Sequence, residues 1–345
     1  MLKNKKIIIA VVTLLLLVLV GAGLYVFINS ALSQAVKVKN TQLIVVPKGQ
    51  TLNQLCNKLE KKAMVTNCVG VKLYAKISDS YSGIKSGTYE IKPRQEFRSF
   101  LTKVVNGDVK QYSFTIIEGE NLYQVLEKLN DATSLRNDLV GLSHKKVAEN
   151  LALNYPSAEG WLYPETYNYP AGSKASSLLK RAVAKQQQVL EQEWQSKQEE
   201  LPIKTPYEAL ILASIVEKES SVAGERDKIS SVFYNRINTG MRLQTDPTTI
   251  YGVWEEYNGD ITREHLRQKN AYNTYRIDGL PPTPIANPSL ASLRATLNPA
   301  KTEYFYFVAS GNGDHIFSKT LEQHNRALRN YLRKQRLNKL KEKNG

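Results

Sequence analysis

The chain has 345 residues, 42% hydrophobic and 23% charged, the balance of an ordinary globular protein with enough length for two domains and a sizeable core. Two cysteines cannot make a disulfide scaffold, so the fold has to rest on its hydrophobic core. A formal charge of +15 points to an anionic partner, which could be nucleic acid, a membrane surface or an acidic polymer.

The N-terminus narrows that choice. No charged residue lies between Ile7 and Ile28. A spanning helix needs about 20 apolar residues, whereas the core of a signal peptide has about 7–15. Residues 7–29 therefore read as an uncleaved single-pass anchor, and residues 1–6 as its flank. Lys3, Lys5 and Lys6 precede the span, and only Lys37 and Lys39 follow it closely, which favours a cytoplasmic N-terminus. The bulk of the chain is then expected across the membrane, where nucleic acid is not a partner. The anionic surfaces left are lipid and cell-wall polymer.

Residues 30–41 read as a short polar linker. "QLIVVPKGQTLNQLCNKLEKKAMV" then reads as strand, turn and helix, with Thr51 as cap and Leu52, Leu55 and Leu59 at helical spacing. Seventy residues on, "FTIIEGENLYQVLEKLN" repeats the unit: Gly49, Leu52, Gln54 and Leu59 match Gly119, Leu122, Gln124 and Leu129. Between the copies lie a helix near Cys68–Ile77, the strand "SGTYEIKP" and the helix "FRSFLTKVVNG". Cys56 and Cys68 are either a disulfide of an exported domain or two buried thiols. From about Tyr155 the texture changes. "EGWLYPETYNYPAG" is loop or short strand, and residues 176–201 are a long polar helix with a seam through Leu179, Val183, Val189 and Trp194. "TPYEALILASIVEKES" is a helix, "TGMRLQTDPTTIYGV" and "NTYRIDGLPPTPIANPS" are loop-rich, "EYFYFVASG" and "HIFSKT" form a hairpin, and the end from Thr320 is a basic helix and tail.

No HExxH, zinc-spaced Cys-His cluster, GxSxG elbow or phosphate loop is present, so neither a metal nor a cofactor is expected. His315 and His324 read as structural residues of the hairpin and last helix. The carboxylates are richer. Thr205, Pro206 and Glu208 set the start of the helix that ends in "IVEKES" and hence its phase. At 100° per residue from Ile211, the cluster Ile211, Leu212, Ile215 and Val216 centres near about 70°, Glu219 falls at about 80° and Glu217 at about 240°. Glu219 thus shares the apolar face, where a carboxyl resists ionisation and suits a general acid, and Glu217 is expected to point outward or to a loop. Tyr234, Asn235, Gln244, Thr245, Asp246, Tyr251, Asn273 and Tyr275 follow it, a set of amides, hydroxyls and rings suited to carbohydrate.

Five motifs carry a resemblance: "EGWLYPETY", "LASIVEKES", "ERDKISSVFYNRINTGMRLQTDPTTIYG", "AYNTYRIDGLPPTPIANPS" and "FYFVASGNGDHIFSKTLEQHN". On them the chain resembles the endolytic murein transglycosylase family, MltG/YceG-like, over residues 113–331. The resemblance implies an α+β protein of the inner membrane: an N-terminal transmembrane helix, a LysM-like α/β module with its linker over 30–112, a periplasmic catalytic domain over 113–331 with a lysozyme-like catalytic glutamate helix, and a basic tail over 332–345. In this family a glutamate followed by a small hydroxyl residue is the catalytic acid, which Glu219-Ser220 matches and Glu217 does not. Glu159, in the first motif, joins the substrate-binding set. The implied reaction is non-hydrolytic cleavage of the MurNAc–GlcNAc β-1,4 bond of nascent peptidoglycan to 1,6-anhydro ends, beside penicillin-binding synthases. A hydrolytic muramidase, with Asp246 or Glu225 placing a water, and a non-catalytic wall-binding scaffold are the rival readings.

Overall fold

The computed structural model describes residues 2–78, 80–81, 83–220, 222 and 224–344. The side chains of Leu2, Lys3 and residues 337–344 lie outside the described set. The chain is mixed α+β and divides into two compact units, Met1–Tyr112 with Asn168–Gly172, and Ser113–Tyr167 with Ser173–Gly345.

The first unit begins with helix α1 (Leu2–Ser33). Its segment Asn4–Ser33 is long and apolar enough to cross a membrane, with Ile7 to Val20 carrying many exposed large side chains. The helix does not stop at a linker. Ala31, Leu32 and Val36 are apolar and buried, so residues 30–36 dock on the unit's own core, and Val36 N donates to Gln95 O at 2.8 Å. β1 (Gln42–Val46), α2 (Leu52–Lys61), α3 (Val69–Ser78), β2 (Gly87–Ile91) and α4 (Phe97–Asn106) follow. β1 and β2 pair antiparallel, with Ile44 opposite Tyr89. The core under them holds Leu55, Leu59, Tyr89, Phe97, Phe100 and Leu101. α3 passes so close to α1 that a Cβ on Gly70 would meet Ala31 at 2.7 Å. Cys56 and Cys68 are two buried free thiols, and the Cys68 thiol is pushed up by its hydrogen bond to Cys56 and then by burial.

β3 (Gln111–Thr115), α5 (Leu122–Asn130), α6 (His144–Asn150), β4 (Thr166–Pro170) and α7 (Ala175–Gln195) come next. β3 pairs with β4, and the division between the units runs through both strands. The repeat extends beyond the matched strand, turn and helix. Gly49 and Gly119 both take the left-handed φ, at 80° and 77°. Thr51 with Gln54 and Asn121 with Gln124 form the same capping box. Lys58 Nζ donates to Val45 O at 2.7 Å, and Lys128 Nζ to Thr115 O at 2.8 Å. The second halves also correspond. Tyr89 OH donates to Lys85 O and Tyr167 OH to Tyr163 O, both at 2.7 Å. The amides of Lys85 and Tyr163 then donate into α4 and α7, to Val104 O and Ala182 O. One strand–helix–strand–helix plan is built twice.

The second unit continues with α8 (Pro206–Glu219), α9 (Arg226–Asn238), α10 (Asp246–Gly252), α11 (Arg263–Arg267), α12 (Leu290–Leu297), β5 (Tyr306–Ala309), β6 (His315–Ser318) and α13 (Leu321–Asn344). α8 starts where the sequence places it: Thr205 accepts from Glu208 N at 3.2 Å, with Pro206 in the first turn. Every residue from Ala209 to Val216 is buried, among α7, α9, α10 and α12. α10 lies within the stretch expected to be loop. Pro247 lies in its first turn, and Thr248, Thr249 and Tyr251 are buried. β5 and β6 form the expected hairpin, with Ala309 opposite His315, and α13 packs on it. Gly160, at φ 76°, passes so close to the 284–286 segment that a Cβ there would stand 2.5 Å from Pro284. Gly160→Ala is therefore expected to lower the denaturation midpoint, by roughly 2–3 kcal/mol of stability, in urea or thermal unfolding.

Candidate active site

Helix α8 ends in two acids with different surroundings. Glu217 scarcely reaches solvent: its side chain is 7% exposed. Its carboxylate accepts from the backbone N of Ser289 at 2.9 Å and from the Ser289 hydroxyl, and Arg226 lies 4.0 Å away. Ser289 is the N-cap of α12 and itself accepts from Ser292 N. Glu217 thus serves the start of α12. Of the two expectations, outward or to a loop, the second holds: the carboxylate turns to Ser289, which ends the loop ahead of α12.

Glu219, the last residue of α8, is half-buried at a cleft of about 330 Å³. Gln244, Asp246 and Tyr275 line the cleft with it, as do Phe233, Arg236, Leu243, Tyr306, Phe307, Leu321 and His324. The hydroxyl of Thr245, buried at the N-cap of α10, donates to Glu219 Oε1. Burial pushes the Glu219 carboxyl above the ordinary carboxylate range, and the Asp246 charge pushes the same way. The Thr245 hydrogen bond and the charges of His315 and Arg236 pull against it. A carboxyl so placed holds a proton to higher pH than a solvated one and can still release it to a nearby base.

The loop that presents Thr245 is held by its own hydrogen bonds. Gln244 adopts φ 47°, a left-handed conformation that costs a non-glycine residue roughly 1–2 kcal/mol. Its amide donates to Thr274 O at 3.3 Å, and Thr245 N donates to Thr274 Oγ1 at 3.1 Å. Asp246 accepts from the hydroxyl of Tyr275 at 2.7 Å. At the far end of α10, Tyr251 OH donates to Glu159 Oε2 at 2.9 Å.

The sequence-predicted residues therefore divide. Glu219, Gln244, Thr245, Asp246 and Tyr275 converge. Glu159 and Tyr251 form a separate buried pair: Glu159 is fully buried and also accepts from Leu122 N at 2.9 Å. Tyr234, Asn235 and Asn273 serve the scaffold. Tyr234 OH donates to Thr296 O, and Asn235 Nδ2 donates to Thr302 O and Tyr304 O. Asn273 is fully buried and spends its amide on the carbonyls of His265, Leu266 and Gln268. The sequence offers Arg236 only as an ion-pair partner for Glu219, and His324 was missed as a cleft residue. No spacing ties them to Glu219, and the resemblance motif containing "TLEQHN" is the one sequence signal for His324. Among the described residues no three His, Cys, Asp or Glu side chains converge on one point, so no metal site can be drawn from them.

The sequence profile of the YceG-like family matches residues 44–330. The chain belongs to the YceG-like family. Among similar proteins, the endolytic murein transglycosylase of Bacillus subtilis is 30% identical over 333 residues, which covers 91% of each chain. The endolytic murein transglycosylase of Streptococcus pneumoniae (strain D39) is 26% identical over 353 residues, and the match spans 91% of this chain but 63% of that longer protein. The crystal structure of a YceG-like protein from Listeria monocytogenes superposes with a TM-score of 0.54 at 28% identity, covering 84% of this chain and 99% of that one. All the cleft residues lie inside the family match, and α1 lies outside it.

Burial raises the Glu159 carboxyl from near 4.5 to about 7, against the hydrogen bonds from Leu122, Tyr251 and Gly160 that lower it. A raised folded-state value favours the protonated form, so its contribution to stability is fullest below pH 4.5 and is lost as pH rises through about 7. Thermal midpoints measured from pH 4 to 8 are expected to fall across that window in the parent, and Glu159→Gln is expected to flatten that part of the curve.

Proposed function

We propose that this chain is an endolytic lytic transglycosylase that cleaves the MurNAc–GlcNAc β-1,4 bond of nascent peptidoglycan and leaves 1,6-anhydro-MurNAc ends, so limiting glycan strand length. The observation that carries the reading is the half-buried Glu219 held by the Thr245 hydroxyl in a polar-aromatic cleft. It occurs in a family whose similar proteins are named endolytic murein transglycosylases.

Glu219 starts protonated, as its raised carboxyl allows. It gives the proton to the glycosidic oxygen, the C1–O bond breaks, and the GlcNAc side leaves as an alcohol. Charge builds on C1 as an oxocarbenium-like centre. The ionised Glu219 then takes the proton of the C6 hydroxyl while the C6 oxygen bonds to C1, which closes the anhydro ring and restores the acid. One carboxyl is enough, because no external water enters, whereas a hydrolase of the usual kind needs a second. Asp246 is already engaged by Tyr275 and Glu225 by the His315 ring and backbone amide, so each is better placed to position loops than to activate water. Gln244 and Tyr275 supply hydrogen-bonding groups and a ring along the cleft.

Residues 113–331 are the catalytic domain on this reading, with α8 as the lysozyme-like glutamate helix, and residues 30–112 a LysM-like module that holds glycan. Residues 7–29 anchor the chain in the inner membrane with the N-terminus cytoplasmic and the catalytic domain periplasmic, next to penicillin-binding synthases. The excess of lysine and arginine faces the carboxylates of the wall polymer, and that attraction weakens with salt.

Glu219→Gln is expected to reduce cleavage of purified glycan roughly 10²–10⁴-fold, and mass spectrometry of the parent's products should show anhydro ends; reducing ends would assign hydrolysis instead. Thr245→Val removes a bond that lowers the Glu219 pKa. Because the reaction needs Glu219 protonated at the start, the alkaline limb of the pH–rate profile should move to higher pH in that variant.

A further inference from the structure

One wall of the Glu219 cleft is a column of three side chains. The Arg236 guanidinium lies over the ring of Tyr306, 5.3 Å from its centroid, and Tyr306 stacks on the His324 imidazole at 5.3 Å and 29°. All three line the cleft with Glu219. Arg236 is fixed from behind: Nε donates to Phe305 O and Nη1 to Leu243 O, each at 2.7 Å. His324 sits in the first turn of α13, its amide bonded to Thr320 O at 3.1 Å. Its ring is therefore placed by a helix start on one side and by the Tyr306 face on the other.

The two ring nitrogens differ. Nδ1 is buried and meets no hydrogen-bond partner among the described residues. Nε2 accepts and donates no hydrogen bond among the described residues and, unlike Nδ1, is not closed off from solvent. A proton on Nδ1 would be a buried donor with no acceptor, which is costly. Burial and the neighbouring Arg236 charge also push the imidazole's pKa down. A neutral ring with a bare Nδ1 carries its hydrogen on Nε2. His315 contrasts with it, since Glu225 holds both its ring Nδ1 and its backbone amide.

We propose that His324 binds substrate in this cleft, donating its Nε2–H to a neutral oxygen of the glycan itself, an acetamido carbonyl or a sugar hydroxyl. This rests on the reading of the Glu219 cleft as the glycan-cleaving site. An uncharged donor adds grip without placing a further positive charge beside a sugar carbon that turns cationic in the transition state.

Binding is best read in the Glu219→Gln background, which holds glycan without consuming it. Calorimetric titration would use purified peptidoglycan strands freed of their stem peptides, with a second set that keeps them. His324→Phe preserves a ring for Tyr306 to stack on and removes the donor; His324→Gln restores a donor near the Nε2 position and removes the ring. The Phe variant is expected to bind stripped strands roughly five- to tenfold more weakly at low and high salt alike, and the Gln variant to regain most of that loss. With Glu219 intact, His324→Phe should raise KM and leave kcat largely unchanged. Independently of any substitution, the ¹⁵N-detected Nε2 resonance of His324 should shift on adding stripped strands. Full-strength binding by the Phe variant, a loss seen only with stem-bearing strands or erased by salt, or an unmoved resonance under saturating strands would each overturn the assignment to His324. If the Glu219→Gln parent bound no glycan and the wild type cleaved none, the reading of the cleft would fall first, which a silent His324 in a cleaving enzyme would not imply.

Discussion

Helix α8 is enclosed through eight consecutive residues, Ala209 to Val216, and a helix so enclosed has to settle its polar groups inside the protein. Ser214 and the three polar residues that follow the enclosed run reach three segments around the helix. Ser214 Oγ accepts from Ile285 N at 3.0 Å, Glu217 takes the start of α12, Lys218 Nζ donates to Gly119 O at 3.2 Å, and Glu219 takes Thr245 at the start of α10. Packing of the apolar residues and placement of the acid are one arrangement. The burial that seats Leu210, Leu212 and Ile215 also raises the Glu219 carboxyl, and the bonds that satisfy its neighbours fix the walls around it.

The separation of Glu217 from Glu219 was legible in the sequence, because Thr205 and Pro206 set the helix phase and the acids fall on opposite sides. What covers the opposite side was not. A helical wheel distinguishes faces and says nothing about whether α12, seventy residues on, packs against the second one. The run of amides and hydroxyls after α8 misled for a related reason. A side chain that can bond a sugar can equally bond a backbone carbonyl, and Asn235 and Asn273 do the latter. α10 was hidden because "TDPTTIYG" is poor in helix formers; tertiary burial of Thr248, Thr249 and Tyr251 outweighs that local preference. Arg236 and His324 are joined only through the ring of Tyr306, a relation with no sequence spacing to betray it.

The doubled strand–helix–strand–helix plan shows a similar limit. Its first half repeats at an offset of seventy and could be seen by eye, through Gly49 and Gly119 and their capping boxes. Its second half repeats at an offset of 78 rather than 70, through Thr88-Tyr89 and Thr166-Tyr167 and through Ser99, Leu101 and Val105, which match Ser177, Leu179 and Val183, so no single offset shows both halves. The hydrogen bonds of those tyrosines reveal it. The copies also meet different demands at the turn. In the later one, Gly119 N donates to Asn287 O at 2.9 Å and Asn287 N to Glu120 O at 2.8 Å, so the turn is absorbed into the walls around α8.

The bond between Glu217 and the cap of α12 has a consequence for reading genetic variation in this gene. Glu217 and Glu219 are two codons apart and of one residue type, yet Glu217 acts through the folded population, while on the proposed reading Glu219 acts through turnover per folded molecule. In a cell, losses of one to two kcal/mol change abundance several-fold through quality control. Alleles at the two positions can then look alike in any growth phenotype while differing in kind. Only the one at 217 should respond to chaperone level, to growth temperature or to a stabilising change elsewhere in the chain.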